Sequence, residues 1–346
     1  MEAGSMYRFT NDYSEGAHPQ ILKALVETNL EQTIGYGEDT FTLEAAEFIK
    51  KKLGRSDVDI HLIPGGTQTN LIAISAFLRP HEAVIAPLTG HVEVHETGAI
   101  EATGHKIITM ECNEGKLDPA DVRLAVESHT DEHMVKPRLV YISNATEVGS
   151  IYTKDELVAL SATCRELKLL LFMDGARLGS ALTSVKNDLT LGEIANLVDA
   201  FYIGGTKNGA LIGEALVICA DSLKEDFRFH IKQKGALLAK GRLLGIQFRE
   251  LFRDDLFFET ARHANAMAAK IQAALVALHC PLLLHSPSNQ IFPILPNRLI
   301  AELAKNYAFE IQRHVDAEHS MIRLVTSWAT KESAVDELIA DLTRLW

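Results

Sequence analysis

Cysteine is scarce. The chain has four in 346 residues, Cys112, Cys164, Cys219 and Cys280, far apart and with no C-x-x-C pair. That excludes a disulfide framework and a closed zinc knuckle. The four read as buried free thiols of a reducing compartment, so a cytoplasmic location is expected. No apolar run approaches the ~18 residues of a membrane span. Met1–Met6 lacks the basic-then-apolar pattern of a signal peptide, and Met6 offers a second start, so residues 1–5 are set aside. Positive charge is also short, with 34 Lys and Arg against 46 Asp and Glu and a formal net charge of −12. Nucleic-acid backbones and anionic membranes select basic surfaces, so neither is expected as the main partner. A local pocket for one phosphate is still compatible. Repeats and low-complexity segments are absent.

What the chain does have is a regular alternation of apolar strands and amphipathic helices from about residue 39. Strands are expected at Ile60–Pro64, Ala83–Ala86, Lys106–Met110, Arg138–Ser143, Leu169–Asp174, Ala200–Gly204 and Ala215–Cys219. Helices are expected over 40–53, 68–78, 92–103, from Pro119, and over 153–167, where Thr153-Lys-Asp-Glu156 is a capping box. Continuous apolar strands separated by helices indicate an α/β fold with a mostly parallel seven-stranded sheet, covered on both faces. After Ala220 the pattern changes. A long helix is expected over 221–252 and an alanine-rich one over 256–278. Short strands at 282–285, 290–295 and 323–328 and helices at 298–307 and 332–346 complete a smaller α+β unit. The expected division is a large domain over 6–235 and a small C-terminal domain over 236–346.

In such sheets ligands bind beyond the carboxyl ends of the strands. Pro64-Gly65-Gly66-Thr67, Ser143-Asn144, Asp174 and Lys207 all fall at such ends. Asp174 closes an apolar strand, where a carboxylate is buried and needs a partner; a salt bridge to Arg177 or a helix cap is the plain alternative. Lys207 lies in the turn Gly204-Gly-Thr-Lys-Asn-Gly209, where desolvation lowers its pKa and makes its amine a nucleophile. A lysine and an aspartate so placed suit pyridoxal phosphate (PLP): the lysine forms a Schiff base and the aspartate keeps the pyridine nitrogen protonated. Gly66 and Thr67, at a helix start, offer N–H groups and a hydroxyl to the phosphate; that turn matches neither G-x-G-x-x-G nor G-x-x-x-x-G-K-[ST]. His91 and His95 share a helix face. A zinc site there lacks a third ligand, so no metal is expected, and His91 is assigned to stack on the cofactor ring. Arg177 and Arg323 can each clamp a carboxylate, which an amino-acid substrate presents.

These residues resemble the threonine aldolase and β-eliminating lyase family of PLP enzymes, of the aspartate-aminotransferase fold type (fold type I), over nearly the whole chain from Phe9. The carrying motifs are Tyr36-Gly-Glu-Asp39, Pro64-Gly-Gly-Thr-Gln-Thr-Asn70, His91, Asp174-Gly-Ala-Arg177, Gly205-Thr-Lys-Asn-Gly209 and Arg323-Leu-Val-Thr326. The resemblance implies Lys207 as Schiff-base lysine, Asp174 as pyridine partner, His91 as stacking histidine, Gly66 and Thr67 as phosphate seat, and Arg177 and Arg323 as carboxylate clamp. It adds Asn11 and Tyr36 near the substrate, and Lys232, Lys234 or Lys240 as a basic phosphate contact. It also implies a homodimer or homotetramer with active sites at the subunit interface. The implied reaction is retro-aldol cleavage of a β-hydroxy-α-amino acid of the threonine, allo-threonine or phenylserine type to glycine and an aldehyde. Two segments depart from the common family pattern. Phe9-Thr-Asn-Asp12 stands for Arg-Ser-Asp-Thr, and Ser143-Asn-Ala-Thr-Glu147 stands for Glu-Asn-Thr-His-Asn. The second removes a histidine and is similar to the phenylserine aldolase branch. Glu147, His95 or a water is then left as base. The rival readings are a PLP-dependent β-eliminating lyase or aminotransferase, a metal hydrolase on His91 and His95, and a cofactor-free binding module.

Overall fold

The apolar runs become the strands of one sheet because each can bury both faces of its pleat. The computed structural model describes residues 6–346, so the stretch set aside at the start lies outside it. A short β1 (Tyr7–Arg8) precedes β2 (Asp59–Ile63), β3 (Glu82–Pro87), β4 (Ile107–Met110), β5 (Lys136–Ser143), β6 (Leu170–Asp174), β7 (Ala200–Gly204) and β8 (Glu214–Ile218). The last seven form a sheet in the order β2-β8-β7-β6-β5-β3-β4. β8 runs antiparallel to both neighbours, and the other pairings are parallel. Six strands therefore deliver their carboxyl ends to one edge. The reversed β8 begins at that edge, with Glu214 opposite both Ile63 and Gly204.

Strand residues alternate between two cores, as the two-residue period of a strand requires. Val140, Ile142, Leu171, Met173, Phe201 and Ile203 point to one. Leu139, Tyr141, Leu170, Phe172, Tyr202 and Leu216 point to the other. Asp174 has the parity of Phe172, so the alternation turns it towards the tyrosines of β5 and β7. A third core gathers Phe9, Met267, Ile271, Leu275, Ile322, Leu324, Val335, Leu338 and Leu342. The helix Leu256–Ala277 joins the cores: Phe257 lies in the first and Ile271 in the third.

Several expected elements are corrected. The helix expected over 92–103 is one short helix, His91–Val94, and a later 3-10 turn, Glu101–Thr103. Thr97 (φ 53°) and Gly98 (φ 71°) sit between them in the left-handed region, which ends a right-handed helix. The long helix over 221–252 is broken into Phe227–Gln233 and Arg242–Arg253, with Gly235 (φ 75°) beyond the first. The stretch 282–285 is not a strand; only Leu282 bridges, to Pro293. That proline, which lacks an N–H, also splits the run 290–295 into β9 (Gln290–Ile291) and β10 (Ile294–Pro296). Two strands absent from the sequence reading follow, β11 (Tyr307–Ala308) and β12 (Glu310–His314), and the last strand, β13, is His319–Val325. β1 pairs with β11, so the amino-terminal arm lies on the carboxyl-terminal unit.

Candidate active site

Along the carboxyl edge, neighbouring strands present neighbouring groups. β7 leads into the turn that holds Lys207, β6 ends on Asp174, β5 ends on Ser143 just before Glu147, and β3 leads to His91. β2 leads into the helix Gly66–Phe77, whose amino terminus has no side-chain cap.

Asp174 is buried and hydrogen-bonded on both oxygens. Its Oδ2 accepts from Tyr141 Oη at 2.7 Å and Asn70 Nδ2 at 3.1 Å, and its Oδ1 accepts from the Ala176 N–H at 3.0 Å. Burial alone pushes its carboxyl up, but His91, the two tyrosine hydroxyls (Tyr141, Tyr202) and the Ala176 N–H outweigh it, and the carboxyl stays below its ordinary value. An anionic Asp174 is the form that holds a pyridine nitrogen protonated. Asn70, Tyr141 and Tyr202 were missed in the sequence. Strand parity was the available signal for the tyrosines.

Lys207 has its amine pulled down from the usual lysine value by burial and by the Arg177 charge, partly offset by Asp12, Asp174 and Glu214. A neutral amine is the nucleophilic form. Glu214, also missed, lies under the turn and accepts from the Gly205 N–H at 3.1 Å. Burial raises its carboxyl to about 8.

His91 is half-buried. Its Nδ1 lies 2.8 Å from Glu96 Oε1, and its ring lies 5.5 Å, centroid to centroid, from that of exposed His95. Glu147 accepts from Ser143 Oγ at 2.6 Å and the His91 N–H at 3.2 Å, both on Oε1. Its Oε2 is buried without a protein partner. Burial, then the nearby Asp174 charge, holds the Glu147 carboxyl above its ordinary value despite the Ser143 hydrogen bond. Among the described residues, no group of three or more His, Cys, Asp or Glu is placed to hold a metal ion.

The two arginines differ. Arg177 does not pair with Asp174. Its Nε and Nη2 grip Asp12 in bidentate fashion, at 2.7 and 3.0 Å, and Asn289 donates to the same carboxylate at 2.9 Å. Arg323 gives Nη2 to Glu310 at 2.5 Å, while its Nε is buried and unpartnered. Asn11, expected at the substrate, spends its carboxamide oxygen on Tyr13 N–H and Ser14 Oγ, each at 3.0 Å; its neighbour Asp12 reaches the site instead. Tyr36 has the Lys232 ammonium 4.6 Å from its ring centre. Lys240 lines a different cavity, with Leu25 and Arg242. The Lys234 backbone carbonyl accepts from Gln68 Nε2 at 3.0 Å, on the helix Gly66–Phe77.

The donor set fits PLP. An uncapped helix start offers N–H groups to a phosphate. Asn70 Oδ1, Glu96 Oε2, Glu147 Oε2 and Arg323 Nε are buried polar atoms that the protein alone leaves unsatisfied. An anionic aspartate and a lowered lysine stand on adjacent strands.

Comparison with known proteins shows the family and the fold. The sequence pattern of the family described as beta-eliminating lyase matches residues 12–295. The chain is 34% identical over 345 residues to a low specificity L-threonine aldolase of a Pseudomonas species, covering 97% of this chain and 96% of that protein. A solved threonine aldolase of Leishmania major superposes with a TM-score of 0.97 at 53% identity, covering 98% of this chain and 99% of that one. A Thermus thermophilus aspartate aminotransferase mutant, at 16% identity, shares the fold with a TM-score of 0.74 over 100% of this chain and 93% of its own.

Proposed function

The chain belongs to the beta-eliminating lyase family, and from that premise we propose how its own residues carry out the reaction. It is a PLP-dependent carbon–carbon lyase of fold type I that acts on an amino acid, cleaving a β-hydroxy-α-amino acid to glycine and an aldehyde. Bound PLP supplies a carbon that an amine can attack and a ring that accepts the electron pair freed at Cα.

Lys207 is the covalent anchor, with its neutral amine as nucleophile. Asp174 would pair with the ring nitrogen, and His91 would stack on the ring. Gly66 and Thr67 would bind the phosphate, with Lys232, Lys234 or Lys240 as a basic contact. Arg323, through its free Nε, takes the substrate carboxylate. Arg177 presents its remaining Nη1 while Asp12 holds its other edge. Glu147 is the base. Its Oε2 has no protein partner, and a carboxylate with a raised pKa takes up a hydroxyl proton more readily than an ordinary one. His95 is exposed and lacks such a buried, open atom. Breaking Cα–Cβ needs that bond perpendicular to the ring, so the arginines and His91 together select the reaction by orientation. The observation that carries this reading is the placement of Lys207, Asp174, Glu147 and His91 at the ends of four adjacent strands.

The altered loop Ser143–Gly149 favours substrates of the phenylserine type. We also place the protein in the cytoplasm, as two domains, and as a homodimer or homotetramer in which the Tyr36 loop reaches a neighbour's site. No helix among the described residues is long and apolar enough to cross a membrane.

The test is borohydride reduction of the holoenzyme followed by peptide mapping, beside assays on threonine, allo-threonine and phenylserine. The label is expected on Lys207, with glycine and an aldehyde as products. A label elsewhere refutes the site. Pyruvate and ammonia in place of aldehyde would instead point to β-elimination.

A further inference from the structure

Glu96 is a buried carboxylate in a chain segment with no evident reason to bury one. Its side chain is wholly shielded, whereas that of His91, which it contacts, is 30% exposed. The short helix His91–Val94 stops just before Glu96, and Thr97 and Gly98, both in the left-handed region, turn the chain after it, while the Glu96 side chain packs against that of His91. Glu96 Oε1 lies 2.8 Å from His91 Nδ1 and 2.8 Å from Asn70 Nδ2. The same Asn70 Nδ2 also reaches Asp174 Oδ2, at 3.1 Å. An ionised carboxylate only accepts, so an amide lying between two of them must turn its NH2 towards both. The orientation of Asn70 is thereby set, and each of its two protons goes to one acid.

We propose that Glu96 is a positioning residue: with Asn70 it forms a hydrogen-bonded bridge that ties the ring of His91 to the carboxylate of Asp174. This rests on the reading of His91 and Asp174 as the groups that face PLP. Through the bridge Glu96 keeps Nδ1 of His91 as the donor, which leaves Nε2 as the ring's free nitrogen and fixes the ring's tilt. It also orients the amide that donates to Asp174, so the group against the ring face and the group at the ring nitrogen respond together. A buried carboxylate is costly unless paired or hydrogen-bonded, and the His91 ring and the Asn70 amide, both on Glu96 Oε1, offset that cost here.

The experiment titrates the visible absorbance of the Lys207-bound cofactor against pH in the wild-type holoenzyme, Glu96→Gln, Asn70→Ala and the double variant. Each is also reduced with borohydride and mapped. The bridge predicts that Glu96→Gln retains cofactor on Lys207 but moves the titration midpoint by about one pH unit, the size expected for losing one charge-assisted hydrogen bond. It predicts a lower kcat with a smaller change in KM. It predicts that Asn70→Ala moves the midpoint the same way, and that the double variant moves it no further than the larger single one, because the two act through one path. An unchanged midpoint with Lys207 labelled overturns the bridge, and so do additive shifts. If Glu96→Gln does not fold, an unchanged midpoint in Asn70→Ala overturns it alone. A label away from Lys207 marks the failure of the underlying site reading instead, which is a separate result.

Discussion

Glu147 and Glu214 show how burial gives two carboxyls different work. Burial raises both, but only Glu147 keeps an oxygen without a protein partner. As base it must be ionised, so the acid limb of kcat is expected above the ordinary carboxylate range. In Glu147→Gln that limb should vanish and kcat should fall by about 10²- to 10⁴-fold, the usual contribution of a positioned base; steady-state rates across pH decide it. Glu214 instead affects stability. Its pKa is about 8 in the folded chain against an ordinary value of 4.5. Between those values the folded state keeps a proton that the unfolded state has lost, so stability falls as pH rises through that window. Glu214→Gln cannot titrate. Its Tm is expected to decline less than that of the wild type between pH about 5 and about 8, measured by calorimetry at fixed ionic strength. Lys207, Asp174 and His91 were legible in the sequence because each stands at the end of an apolar run. Asn70, Glu96 and Asp12 were not, because nothing local in a helix, a loop or an arm says which distant group it will meet. Arg177 illustrates the same limit: its side chain could be read as a clamp, but its bidentate engagement by Asp12 could not.

At the scale of elements, the helix Arg242–Arg253 packs on the helix Thr40–Leu53, and the contact is close because residue 245 is glycine. A β-carbon there would lie 2.5 Å from the Thr42 backbone nitrogen and 2.7 Å from its Cα. Thr42 lies in the first turn of the helix that Asp39 caps, through a 2.9 Å bond to the Thr42 N–H, so the backbone cannot yield without loosening the cap. Gly245→Ala is therefore expected to destabilise by about 1–3 kcal/mol despite alanine's better helix propensity. A denaturant melt reads it directly, and a stabilised variant would contradict the packing. Helix and strand content of the large sheet was legible because the apolar periods are long and regular. The segments misread, 92–103 and 221–252, are ones where residues in the left-handed region interrupt an otherwise helical pattern. Gly98 and Gly235 were visible there, yet a glycine in a sequence does not state its φ.

For the whole molecule, the amino-terminal helix Pro19–Glu27 buries Ile21 and Ala24 but leaves Val26 76% exposed, and Leu30 beyond it is 93% exposed. Apolar side chains grouped on one segment fit a protein contact better than solvent. A Val26→Glu/Leu30→Glu variant is expected to shift the proposed homodimer or homotetramer towards monomer in light scattering and to weaken cofactor retention; an unchanged mass would rule this segment out as its subunit contact.

The residue order by itself determined the α/β class, the strands with their apolar periods and the pairing of one lysine with one aspartate, because burial of alternating side chains and the cost of a buried charge are local facts. Only the tertiary structure decided which groups meet. The reversal of β8 brings Glu214 beneath the Lys207 turn, the parity of β5, β6 and β7 turns two tyrosines on Asp174, and the packing of the segment after β3 on the helix Gly66–Phe77 sets Glu96 against Asn70. Each depends on strands and turns far apart in the chain coming to lie side by side, and that is settled by the packing of the whole.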